Sequence, residues 1–95
     1  ESLVRAKVML WNGNMFEPPG GNALELVGEI LAKSPNNKDA QELQLRLLTT
    51  LEAQIEADIV AGNTYEAAVG IDRLKSAGAI EAAATLQATL SGNTN

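Results

Sequence analysis

Any chemistry in this chain falls to carboxylates, hydroxyls and backbone amides, because its 95 residues include no histidine and no cysteine. The commonest general base and metal ligand is therefore missing, as is the most reactive nucleophile. Among the carboxylates, Glu52, Glu56 and Asp58 fall close together, and the four-residue step from Glu52 to Glu56 puts those two on one helix face. A solvated face requires no more than this, whereas a metal site needs further acidic ligands placed opposite. Ser2, Ser34, Ser76 and Ser91 stand where helices are expected to begin or end, and there a hydroxyl serves as a cap or turn former rather than a nucleophile. The stretch "PPGGN" at 18–22 could free backbone amides for an anion at a helix start. It lacks the lysine of a nucleotide-binding loop, and no strand precedes it, so a turn is the simpler reading. The expectation is a chain with no catalytic, cofactor-binding or metal-binding residue, and not an enzyme.

Composition points to helices. The apolar share is 45% with three aromatic residues, so a core must be filled by Leu, Ile, Val and Ala, which suits closely packed helices better than a sheet. A chain of this length is expected to form a single domain over 1–95. The net charge of −5, with seven scattered basic residues, argues against nucleic acid, whose phosphates need clustered Lys and Arg. No apolar run approaches the ~20 residues of a membrane span, and no basic segment followed by an apolar one marks a signal peptide. Direct membrane insertion is therefore not expected. Lack of cysteine is compatible with either a reducing cytosol or an envelope compartment. The chain begins at Glu1, which suggests a segment of a longer protein.

Five helices are expected, at about 2–12, 22–33, 38–61, 63–77 and 79–90, with 91–95 a frayed tail. The first is apolar over most of its surface, through Leu3, Val4, Ala6, Val8, Met9, Leu10 and Trp11, with Ser2 as its cap and Gly13 to end it. The second opens at Asn22, with Glu25 placed to reach back to the Asn22 amide as in a capping box. Its buried stripe should be Ala23, Val27, Ile30 and Leu31, and Pro35 stops it. In the third, Leu43, Leu47, Leu48, Leu51, Ile55 and Ile59 form a seam at three- and four-residue steps. Gly62 and Asn63 repeat the earlier device, with Glu66 in the place of Glu25. Ala67, Ala68, Ile71 and Leu74 should face inward, followed by Ile80, Ala83, Ala84, Leu86 and Leu90 of an alanine-rich fifth helix. Between the first two helices, "NGNMFEPPGG" denies any regular element, and Met15 and Phe16 are expected to fold back onto the helices. Gly28 and Gly70 lie inside helices at about 1 kcal/mol each relative to alanine, which predicts close helix approach at both.

"GNALELVGEILAKSP" and "GNTYEAAVGIDRLKSAG" share Gly-Asn, a glutamate three residues later, Val-Gly and Lys-Ser, at a spacing of 41 that slips to 42. Spacings in the forties are typical of helical repeats. "NGNMF" followed by "ALELVGEILAKSPNN" resembles the second half of a tetratricopeptide (TPR) repeat, and Gly62, Tyr65 and Ala68 fall near the same order. Three features depart from that pattern: the "EPPGG" insertion, the long third helix, and "SAGA" where "SPNN" would stand. Similar proline-glycine insertions occur in helical-repeat segments of large bacterial envelope and signalling proteins. The resemblance implies an all-α, TPR-like right-handed array of antiparallel helix pairs, the fifth helix a cap, in a larger bacterial protein of cytoplasm or periplasm.

The function it implies is non-catalytic, with a groove formed by the first and third helices holding a peptide or protein segment. Self-association, or spacing between domains, through the third helix and its alanine-rich neighbour is the alternative. Partner-binding candidates are Trp11, Phe16 and Tyr65, together with Gln44, Arg46, Thr50 and Gln54, which lie off the leucine seam. Trp11 is either a binding hot spot or the largest core residue, and the core assignment is preferred. No cofactor is expected.

Overall fold

The structure, a computed structural model, describes residues 2–18 and 20–93. Among the described residues there are five α-helices and no strand: α1 (Ser2–Trp11), α2 (Ala23–Lys33), α3 (Lys38–Ala61), α4 (Thr64–Ser76) and α5 (Ile80–Asn93). The all-helical class agrees with a composition rich in Leu and Ala. α5 extends beyond its expected end, so Ser91, Gly92 and Asn93 are helical; Thr94 and Asn95 lie outside the described residues, as does the side chain of Ser2, the expected cap of α1. The chain divides into two compact units, Glu1–Leu47 and Leu48–Asn95, with the division inside α3.

In the first unit α1 stops at Gly13, whose φ of +83° lies where a side chain would be strained. The Asn14 amide donates to the Met9 carbonyl at 2.8 Å and the Gly13 amide to Leu10 at 3.1 Å, the paired bonds of a glycine-terminated helix. The following loop then supplies acceptors for α2. Ala23 N–H donates to the Asn14 carbonyl at 2.9 Å and Leu24 N–H to Met15 at 3.0 Å. The Glu25 amide donates to Asn22 Oδ1 at 2.9 Å, which completes the first turn. Glu25 does not act as the sequence suggests. Its carboxylate accepts from Asn22 Nδ2 at 2.7 Å and from the Gly20 amide at 2.8 Å, which ties the helix to the proline-glycine turn.

Ala6, Phe16, Ala23, Leu24, Val27, Ala40, Leu43 and Leu47 are the buried apolar residues of this unit. Leu24 takes the place expected for Ile30 and Leu31, which are only half-buried, because the enclosed part of α2 is the turn that the loop bonds to. Phe16 is buried and Met15 half-buried, so the loop does fold back. Past Pro35, Asn37 Oδ1 accepts the Ala40 amide at 3.1 Å and caps α3.

In the second unit the buried residues are Leu51, Ile55 and Ile59 of α3, Ala67, Gly70, Ile71 and Leu74 of α4, and Ala83, Leu86 and Leu90 of α5. Leu48 and Ala68 are half-buried, and Ile80 and Ala84 are exposed, contrary to the expected stripes. Helix ends are closed as at Gly13: Asn63 N–H donates to the Asp58 carbonyl at 2.8 Å across Gly62, and Ala79 N–H to Leu74 at 2.9 Å across Gly78. Asn63 is therefore not a second Asn22. It makes no side-chain cap bond, and its φ and ψ of −80° and 69° differ from the extended −130° and 162° of Asn22. One residue terminates α3 and begins α4, and its backbone is set by the first of these roles.

The two helix-interior glycines also part company. A Cβ on Gly70 would lie 2.5 Å from Ile55 Cγ1 and 3.1 Å from its Cδ1, so α3 and α4 touch there because glycine has no side chain. Nothing lies within 4 Å of the corresponding position on Gly28, and the close approach expected there is absent. Gly70→Leu should destabilise by about 3 kcal/mol or more through overpacking. Gly28→Ala should stabilise by about 1 kcal/mol, raising the melting temperature by roughly 4–8 °C in a calorimetric scan. In urea titrations, Asn22→Ala should lose about 1–2 kcal/mol while Asn63→Ala loses only a few tenths, the difference between a working cap and an idle one.

Candidate functional site

The first unit carries a pocket of about 330 Å³ between α1 and the start of α3. From α1 come Lys7, Leu10 and Trp11, at steps of three and one, and from α3 come Asp39, Glu42, Leu43 and Arg46, at steps of three, one and three. These spacings place each set on one helix face, as an α-helix repeats every ~3.6 residues. Leu43, buried, and Leu10, half-buried, provide an apolar floor. Two cations, Lys7 and Arg46, and two anions, Asp39 and Glu42, stand exposed around it. Trp11 is 77% exposed. Its preferred assignment to the core is thus wrong, and the reason is local. The inward position of α1 is filled by Ala6, fully buried, and a helix seated on its alanine leaves the large residues of the opposite side outside.

Of the candidates drawn from the sequence, this pocket unites Trp11 and Arg46. Phe16 is buried in the loop and is not available to a partner. Gln44 is half-buried and does not line the pocket. Thr50, Gln54 and Tyr65 belong to the second unit; Thr50 is half-buried, Gln54 is exposed, and Tyr65 is 76% exposed at the start of α4. Lys7, Asp39 and Glu42 were not singled out from sequence. Their signal was present as charges at helical spacing beside Trp11 and Arg46, but which two helices would lie side by side is not a local property.

The arrangement is suited to contact. An apolar floor with a rim of mixed charge can seat a side chain and orient the chain that carries it, as peptide-holding clefts do. It offers no acid–base pair set apart by burial. Among the described residues no three acidic side chains come together as a metal site, and no helix is long and apolar enough to cross a membrane. The turn at 18–22 is not an anion cradle either. The Gly20 amide is taken by Glu25, the Gly21 amide donates to the Pro18 carbonyl at 3.0 Å, and the first amides of α2 bond to Asn14, Met15 and Asn22.

Comparison with protein-family models, with curated proteins and with solved structures finds no match, so the site stands on its geometry.

Proposed function

We propose that this chain is a non-catalytic interaction module, a TPR-like segment of a larger bacterial protein, that holds a peptide or protein segment in the groove between α1 and α3. The observation that carries the reading is Trp11. A tryptophan 77% exposed at the edge of an apolar floor, with charges of both signs around it, has the features of a residue that gains most of its burial from a partner. The helix–glycine–helix connections at Gly62 and Gly78 support the repeat-like part of the proposal. A segment that suits the groove brings one apolar anchor for Leu10, Leu43 and Trp11 and flanking residues of both charges, the acidic ones toward Lys7 and Arg46 and the basic ones toward Asp39 and Glu42.

Panning a displayed peptide library against the whole chain tests this. Enriched peptides should share an apolar anchor between charged flanks, and Trp11→Ala should weaken their binding by about 30-fold or more, the scale of a central aromatic contact. Arg46→Glu should weaken peptides with an acidic flank and spare those without one. Peptides that bind Trp11→Ala as tightly as the original chain would place recognition elsewhere.

A further inference from the structure

α1 is followed by the chain's one Asn-Gly pair, Asn12–Gly13. An asparagine side chain brings its carbonyl carbon, Cγ, within reach of the next residue's backbone nitrogen, and a bond between the two closes a five-membered ring. A side chain on that next residue crowds the nitrogen and stiffens the backbone. Glycine does neither. Asn14, Asn22, Asn36, Asn37, Asn63 and Asn93 are all followed by residues that carry side chains, so Asn12 stands apart in its intrinsic lability.

The fold leaves this pair accessible. Asn12 and Gly13 are both exposed, and nothing lies within 4 Å of where a Cβ on Gly13 would stand. Among the described residues the Asn12 side chain has no hydrogen-bond partner, whereas the buried amide of Asn22 is tied to Pro18 and Glu25 and the Asn37 side chain holds the Ala40 amide. One restraint remains. The Gly13 amide donates to the Leu10 carbonyl at 3.1 Å and must leave it before its nitrogen can attack. That bond belongs to the last turn of a helix of only ten residues, and helix ends open far more readily than the fold as a whole.

We propose that Asn12 is a site of spontaneous modification, converted by Gly13 and water to isoaspartate and aspartate in the folded chain. The Gly13 nitrogen bonds to Asn12 Cγ, the Cγ–Nδ2 bond breaks, and Nδ2 leaves as ammonia with the proton that Gly13 gives up. Water then opens the ring. Addition at Cγ gives aspartate in the ordinary main chain; addition at the former main-chain carbonyl gives isoaspartate, whose chain runs through Cβ and Cγ and is longer by a carbon. Nothing is oxidised or reduced. Either product sets a carboxylate next to Trp11 at a helix C-terminus, where negative charge is unfavourable, in a stretch with no other carboxylate between Ser2 and Phe16. The longer chain also breaks the register of the bonds from Gly13 to Leu10 and from Asn14 to Met9, and displaces the Asn14 carbonyl that accepts the Ala23 amide. The join between α1 and α2 therefore loosens with time, whether or not the groove holds a peptide.

Incubation of the whole chain at neutral pH and body temperature tests this, read by peptide mapping in a mass spectrometer and by labelling with an isoaspartyl methyltransferase. Position 12 should convert before any other asparagine, with release of ammonia and a unit of negative charge added to the formal −5, which anion exchange resolves. Asn12→Gln should lose both the ammonia and the label, because its longer side chain would have to close a larger ring. In urea the rate should rise several-fold as the Gly13 amide is freed from Leu10. The purified isoaspartyl form should melt below the original chain and below Asn12→Asp, which carries the charge without the added carbon. A folded chain still intact when the chain in urea has been converted, conversion first at another asparagine, or ammonia release unchanged in Asn12→Gln would overturn the proposal. An isoaspartyl form that melts with Asn12→Asp would overturn the loosening of the α1–α2 join.

Discussion

A buried primary amide has two donors and an acceptor to satisfy, and leaving one unpaired costs about 1–3 kcal/mol. Asn22, 2% exposed, satisfies them all: Nδ2 donates to the Pro18 carbonyl and to Glu25, and Oδ1 accepts the Glu25 amide. The turn, the cap and the first turn of α2 thereby become one assembly. Because Asn14 and Met15 also accept amides of α2, the segment leaving α1 is held to the start of α2 at both of its ends. Release of Asn22 would free the loop, and with it the loop's hold on Phe16 and on the end of α1 where Trp11 stands.

A second constraint is size. With few aromatics, the chain builds its cores from Leu, Ile, Val and Ala with Phe16 and one glycine, and small residues set how near the helices come. Gly70 against Ile55 is the closest instance in the second unit, and Ala6 does the same for α1 in the first. A helix seated on alanine needs no large side chain inward. That is why the largest residue of the chain is found outside, beside the groove, and why α1 has apolar residues left over on its far side.

These two constraints lead to a surface suited to contact. The groove offers shape, an aromatic edge and charges of both signs, which are means of recognition. The proposed groove follows from where α1 puts its tryptophan.

What the sequence determined by itself was local. Helical periodicity located all five elements, and the α3 seam Leu43, Leu47, Leu51, Ile55 and Ile59 is buried as spaced. Gly13, Gly62 and Gly78 end helices because their neighbours' carbonyls need donors that only a left-handed residue can position. The tertiary structure decided the rest, because burial depends on which helix lies opposite. Trp11 and Ala6 share one short helix, and nothing in their own stretch says which of them faces inward. Gly28 and Gly70 read alike until Ile55 is found against one of them. Asn22 and Asn63 stand in matching sequence, yet only Asn22 has a loop before it long enough to free its backbone for capping. The pocket joins residues of α1 to residues of α3, and that meeting is fixed by packing across the chain rather than by any spacing along it.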